Sequence, residues 1–204
     1  MVKRVENQNV PADGAVADRT SHDPAALIAA LRSRKLPPVH SWNPAHCGPS
    51  DMRIARDGTW SYRGSPIGRL PMVRLFSTVL RRDADDIYYL VTPVEKLTIE
   101  VEDVPFLAVE MLVEGAGREQ RLSFRTNVDD AVLADAAHPL RVIEDAASRE
   151  PSPYVLVRDR LEARIVRSVF YDLVELGCEA PVAGELQFGV WSAGVFFPLG
   201  KLDV

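Results

Sequence analysis

The stretch Trp42–Arg69, WNPAHCGPSDMRIARDGTWSYRGSPIGR, constrains the fold more than any other part of the chain. Asp57-Gly58 suits the two central positions of a type I′ hairpin turn, where both residues take positive φ. That turn pairs Arg56 with Thr59, Ala55 with Trp60, Ile54 with Ser61 and Arg53 with Tyr62. Side chains alternate across a strand. One face is then Arg53, Ala55, Trp60 and Tyr62, and the other is Met52, Ile54, Ser61 and Arg63. Both faces are partly apolar, so the hairpin is expected between two layers. Arg53 opposite Tyr62 forms a cation–π pair worth roughly 0.5–2 kcal/mol. An aromatic and arginine face can hold a planar or anionic ligand. It can equally be a core cluster whose arginine snorkels outward, and packing is the commoner use of strand Trp and Tyr.

The charge pattern sharpens the first option. From Arg53 to Arg82 there are seven arginines and one acid, Asp57. From Asp83 to Asp103 there are seven acids and one base, Lys96. Adjoining segments of opposite sign neutralise each other in most folds. Arginine in place of lysine throughout also suits bidentate contact with carboxylate or phosphate. Net charge is −5, which weighs against a dedicated nucleic-acid binder.

Along the chain, residues 1–22 are polar and aperiodic and are expected to form a flexible tail. No apolar segment there resembles a signal peptide, and no apolar run is long enough to span a membrane. Cys47 and Cys178 are isolated, which suits a reducing cytoplasm. Asp23 and Pro24 start a helix over 24–34 with Leu27, Ile28 and Leu31 as its apolar stripe. Pro71 opens a second helix whose buried face is Met72, Leu75, Phe76, Val79 and Leu80. Strands follow at 87–91, 97–101, 106–113, 118–125, 140–143 and 154–157. Residues 126–137 fit either a short helix or a short strand. Ile165, Val166, Val169, Phe170, Leu173 and Leu176 mark another amphipathic helix, with Gly177 at its C′ position. Strands at 185–191 and 195–197 close the chain.

Tyr62 onward aligns with Leu156 onward at an offset of about 94 residues, helix on helix. Any two amphipathic helices align comparably. Taken as a repeat, the pattern makes an α+β fold of two lobes with repeated strand–helix units. The expected organisation is a tail at 1–22, an α+β domain at 23–95 and a mainly-β domain at 96–204.

Motifs that carry chemistry are missing. There is no Walker A loop, no G-x-G-x-x-G after a strand and no G-x-S-x-G elbow. His40, His46, Cys47 and Asp51 match no zinc spacing. Neither metal nor cofactor is expected, and no catalytic residue is assigned.

The pieces Trp42-Asn43-Pro44, Cys47-Gly48, Asp51-Met52-Arg53-Ile54, Asp57-Gly58-Thr59-Trp60, Gly64-Ser65-Pro66-Ile67-Gly68-Arg69, Val73-Arg74-Leu75-Phe76, Leu90-Val91-Thr92-Pro93-Val94-Glu95-Lys96 and Glu102-Asp103-Val104-Pro105-Phe106 occur in this order. Together they resemble the bacterial family of domain of unknown function 1285. The resemblance implies two α+β domains, a C-terminal lobe loosely like a pleckstrin-homology roll, a site at the domain interface and a signalling role. It assigns no activity.

The leading functional expectation is a non-enzymatic binding module. Arg53, Trp60, Tyr62, Arg69 and Arg74, with Glu95 and Lys96 at the linker, would line a cleft between the lobes. The partner would be an anionic small molecule or an acidic protein segment. The alternative is a hydrolase or transferase acting on a phosphorylated substrate, with Asp51, Glu95 or Asp103 as acid or base. Nucleic-acid contact through the arginine run stands third. Strand edges near 195–197 leave room for a structural interaction protein.

Overall fold

The structure is a computed structural model that describes residues 2–4, 35–144, 150–182 and 184–201. The helix expected over 24–34 and most of the expected tail lie outside the described residues. The fold is mostly β in two lobes, with two α-helices among the described residues. In the first lobe, β2 (His46–Ile54), β3 (Trp60–Tyr62), β4 (Ser65–Pro66), β5 (Leu80–Arg82), β6 (Tyr88–Val91) and β7 (Lys96–Val101) form a sheet of order β4-β3-β2-β7-β6-β5. In the second, β8 (Phe106–Glu114), β9 (Arg121–Thr126), β10 (Ala131–Leu133), β11 (Leu140–Glu144), β12 (Pro151–Arg158) and β13 (Leu161–Ile165) run in the order β10-β9-β8-β13-β12-β11. A short β1 (Val2–Arg4) adds parallel to β8. Three further strands, β14 (Cys178–Val182), β15 (Glu185–Ser192) and β16 (Val195–Lys201), form a separate meander.

The two lobes share one topology. Counted within each lobe, both sheets read third, second, first, sixth, fifth, fourth. In both, the first and sixth strands pair in parallel at the centre and every other pair along that path is antiparallel. Helix placement breaks the symmetry. Helix α1 (Leu70–Thr78) lies between the third and fourth strands of its lobe, whereas α2 (Arg167–Glu175) follows the sixth. The expected helix-on-helix repeat therefore gives way to a repeat of strands. The expected division after Glu95 moves too. β7 sits between β2 and β6, so the first sheet runs to Val101 and the second begins at Phe106.

The hairpin differs from expectation by one residue. Gly58 N–H donates to Ala55 O and Ala55 N–H donates to Thr59 O, each at 2.9 Å. Gly58 has φ +83°, while Asp57 stays at negative φ. This is a three-residue loop, a type I turn with a glycine bulge. It leaves Gly58 alone in the left-handed region, where glycine carries no Cβ penalty. Asp57 Oδ1 accepts from Thr59 N–H at 2.9 Å. The register becomes Ile54 with Trp60, Arg53 with Ser61 and Met52 with Tyr62. A one-residue slip exchanges the faces. Trp60 joins Met52 and Ile54 in the core, and Arg53 moves to the opposite face.

One continuous core serves both lobes. Ile54, Trp60, Val73 and Leu90 of the first pack in the same cluster as Phe106, Phe124, Leu161 and Val169 of the second. Each fully buried side chain of this size contributes roughly 1.5–3 kcal/mol. A satellite cluster of Val39, Tyr89 and Val91 lies under Trp42. Here the short 3-10 turn Val39–Ser41 is held by Arg81, which donates to the Val39 and Trp42 carbonyls.

Polar contacts then lock the lobes. The turn between β9 and β10 carries Asn127, Asp129 and Asp130. Asp129 pairs with Arg74 of α1 and with Arg125, which also reaches Glu110. Asp130 pairs with Arg158, and Arg158 also donates to Ser77 O at 2.7 Å and lies over the Phe106 ring. These contacts turn α1 partly away from its expected orientation. Val73, Ser77 and Thr78 are buried and Phe76 and Val79 pack against the core as expected, whereas Leu75 is 63% exposed and Met72 41%. Leu80, expected on the helix, begins β5.

The remaining elements follow the sequence with small changes. Residues 131–133 are strand β10, which resolves the open choice at 126–137. Helix α2 buries Val169 and Leu173 as its stripe requires. Gly177 is needed for space, because an added Cβ would lie 2.1 Å from Phe188 Cζ, rather than for a left-handed cap.

Two stability outcomes follow. An added Cβ at Gly58 would lie 2.8 Å from Asn127 Nδ2 and 3.0 Å from Leu107 Cδ1, whereas at Gly64, φ +77°, it meets open space. Both Gly→Ala changes carry the positive-φ penalty, about 1–2 kcal/mol. In urea unfolding Gly58→Ala should lose more stability than Gly64→Ala, by about 1 kcal/mol or more for the added overpacking. Equal losses would show that the hairpin tip does not dock on the second lobe. Asp130→Ala strands the half-buried Arg158 charge and should cost about 3–5 kcal/mol in the same assay.

Candidate functional site

The structure scatters the expected site residues. Trp60 is 1% exposed and belongs to the core. Tyr62 is at the surface under the Arg63 guanidinium, 5.2 Å from its ring centre. Arg53 lies on the outer face, bonded to Glu102 at 2.5 Å and 3.4 Å from Glu100. Arg69 is exposed and caps α1 only through its carbonyl. Arg74 is taken by Asp129. Glu95 sits in an exposed turn, where its carbonyl accepts from Thr92. Lys96 bonds Asp83 at 2.6 Å and lies 3.9 Å over the Tyr89 ring. None of the three pockets described below gathers these side chains among the described residues, because the register slip and the lobe contacts separate them.

An open groove of about 1010 Å³ runs along the outer face of the first sheet. It arises where β2 breaks register with β7 between Pro49 and Arg53, with Asp51 at φ +57°. Its charges are Arg53 and Arg63 against Asp51, Glu100 and Glu102. Arg63 Nε donates to Asp51 at 3.1 Å, so both arginines are engaged. The balance is acidic, which disfavours anions.

A second pocket, about 370 Å³, lies at the seam between the lobes. Arg56 enters it from the hairpin turn of the first lobe. Arg164 on β13, Arg167 at the start of α2, Ser152 on β12 and the carboxylate of Glu150 line it from the second. Alternation puts Ala163 and Ile165 of β13 into the core, which sends Arg164 outward. The first turn of α2 has no side-chain cap, and its N-terminus adds a modest positive field. Pro151, Pro153, Phe170 and Tyr171 form the apolar wall.

The arginines of this pocket make only long ion pairs among the described residues. Arg167 is 3.5 Å from Glu150, Arg164 is 3.6 Å from Asp103 and Arg56 is 3.8 Å from Asp103. Elsewhere the arginines close on carboxylates: Arg141 grips Glu162 with two bonds of 2.5 and 2.6 Å, and Arg81 holds Asp83 at 2.5 Å. Arg164 also donates to the Arg56 carbonyl at 2.8 Å, which fixes the turn over the pocket. Asp103 accepts from Tyr154 Oη at 3.1 Å. Burial and the Asp103 carboxylate push the Tyr154 phenol up, so it stays protonated and donates.

The sequence-based site lacks Arg56, Arg164, Arg167 and Ser152, of which only Arg56 belongs to the arginine run noted above. The available signal was a second arginine run, Arg158, Arg160, Arg164 and Arg167, hidden by the overall acidity of the chain. The carboxylates proposed for acid–base work do not converge. Asp51 lines the outer groove, Glu95 lies in the β6–β7 turn and Asp103 is beside the seam pocket. No group of metal-capable side chains gathers among the described residues.

A third pocket, about 360 Å³, is lined by His40, Trp42, Asn43, Arg81, Arg82, Asp83, Asp159 and Arg160. Its arginines are occupied by Asp83 and Asp86. Burial pushes the Asp83 carboxyl up, but bonds and charge from Arg81 and Lys96 outweigh it and hold the group below 3.8. A lowered carboxylate stabilises the fold above its unfolded value, and the gain is lost as pH falls through the folded value. Asp83→Asn should therefore be less stable than wild type at neutral pH, with the gap closing as pH falls below the ordinary carboxylate range. Urea unfolding across that range checks this; a gap independent of pH would contradict the pairing.

The comparisons agree with this architecture. Residues 37–104 match the family model "Domain of unknown function (DUF1285), N-terminal domain". Residues 105–199 match "Protein of unknown function (DUF1285), C-terminal domain". The two models meet where the two sheets divide. Among solved structures, a DUF1285 family protein from Silicibacter pomeroyi DSS-3 is 50% identical with a TM-score of 0.77, over 87% of this chain and 96% of that one. Another, from Shewanella baltica OS155, is 27% identical with a TM-score of 0.48, over 61% of this chain and 90% of that one. The comparison with curated proteins found no match. The chain therefore belongs to the DUF1285 family and carries both of its domains in order.

Proposed function

We propose that the protein is a non-enzymatic binding module that holds an anion in the seam pocket through Arg56, Arg164 and Arg167. One observation carries this reading: three guanidiniums from two lobes converge on one pocket whose lining holds a single carboxylate among the described residues, Glu150, 3.5 Å from Arg167. A guanidinium offers five N–H donors, so partners at 3.5–3.8 Å leave most of that capacity unspent. Carboxylate or phosphate is the natural complement. This reading again puts an anion site between the lobes, but on arginines other than those expected from the sequence.

A signalling role fits a site assembled from both lobes, since a ligand there bridges the hairpin turn and α2. The likeness of the C-terminal lobe to a pleckstrin-homology roll belongs to the same reading, supported by antiparallel meanders followed by a helix. So does a cytoplasmic location, which the exposed free thiols of Cys47 and Cys178 favour. No helix among the described residues is long and apolar enough to cross a membrane.

The test is a thermal-shift titration with pyrophosphate. At a hundred times the dissociation constant, stabilisation should reach about 2.7 kcal/mol. Arg56→Ala and Arg167→Ala alter exposed side chains, so both variants should keep the unliganded melting temperature and lose most of the shift. A shift that survives both, or that disappears in Arg53→Ala instead, would move the site elsewhere.

A further inference from the structure

The chemistry of the seam pocket restricts its ligand further. Resting on the anion reading above, we infer that the ligand is a small molecule with one anionic head and a planar apolar body. Size is the first reason. A water molecule takes about 30 Å³ of liquid volume, so a pocket of about 370 Å³ far exceeds a bare inorganic anion. It falls instead at the lower end of the range for organic ligands, roughly 300–1,000 Å³.

The second reason is how the wall is divided. Arg56, Arg164 and Arg167 supply a cationic part that outweighs the one lining carboxylate, Glu150, and Ser152 adds a hydroxyl. Opposite in character are the rings of Pro151, Pro153, Phe170 and Tyr171. Tyr171 is the telling residue. It is 59% exposed, although α2 sends Val169 and Leu173 of the same helix into the core. No hydrogen bond or ring contact engages it among the described residues. An exposed aromatic ring beside under-used guanidiniums offers two kinds of planar surface for stacking.

Size and charge disfavour a polymer. The pocket is small, and the net charge of −5 repels an extended polyanion. The head group comes from one of two chemistries, carboxylate or phosphate, which the arginines recognise by the same forked geometry.

Calorimetric titrations with four probes separate the possibilities: inorganic phosphate, acetate, 1-naphthyl phosphate and 2-naphthoate. At least one naphthyl anion should bind ten-fold or more tighter than the inorganic or small anion with its head group. The better of the two identifies the head. Tyr171→Ser should erase most of the ten-fold gain and leave phosphate binding unchanged, while Arg167→Ala should weaken both. Equal affinity within both pairs, naphthyl phosphate with phosphate and naphthoate with acetate, would overturn the planar-body inference and leave the anion site intact. Naphthyl binding that persists in Arg167→Ala would expose nonspecific apolar adsorption and also overturn it. No binding by any probe would overturn the anion site itself, and the inference with it.

Discussion

The buried contact of Arg158 holds the two lobes in one arrangement. Its guanidinium pairs with Asp130, donates to the Ser77 carbonyl and covers the Phe106 ring. A charge withdrawn this far from water is tolerated only when its partners stay in place. The contact therefore ties β12, the β9–β10 turn and the end of α1 together. Arg74 with Asp129 and the docking of Gly58 near Asn127 extend the same seam. The orientation of α1 follows from it. Facing Arg74 and Ser77 toward the second lobe leaves Leu75 and Met72 in solvent, against their hydrophobicity.

Local signals in the sequence were strong where one residue type decides the geometry. Asp57-Gly58 marks a hairpin, Pro71 a helix start, and the Val169–Leu173 stripe a buried helix face. The register was harder to read, since a two-residue and a three-residue loop both suit Asp-Gly. Residue type does not separate them, because aspartate tolerates positive φ, as Asp51, Asp86, Asp129 and Asp159 do here. The one-residue difference in loop length reversed the faces of Arg53 and Trp60, and with them the expected site. The α1 face was illegible for another reason. Its apolar periodicity describes the helix alone, while the observed face is set by Asp129 and Arg158, more than fifty residues away. The strand repeat escaped notice because it lives in pairing order, with little trace in residue identity.

The same seam explains where a site forms. Three of the seven arginines of the first lobe pair closely with the acidic segment that follows them: Arg53 meets Glu102, Arg81 meets Asp83 and Arg82 meets Asp86. Arg56 lies at that lobe's inner end, where its turn is pulled against β13 by the Arg164 bond to its carbonyl. It thereby joins Arg164 and Arg167, whose nearest carboxylates among the described residues stand too far away for direct hydrogen bonds. A cationic pocket in an acidic protein arises from this mismatch of geometry.

The central claim is that these three guanidiniums form the anion-holding site, and a crystal soaked in bromide tests it most directly. Anomalous scattering locates bromide without any assumption about the ligand. The account predicts a strong peak bounded by Arg56, Arg164 and Arg167, above any peak at the outer groove or beside Arg81 and Arg82. An empty seam pocket, with bromide ordered at Arg53 and Arg63 instead, would contradict it.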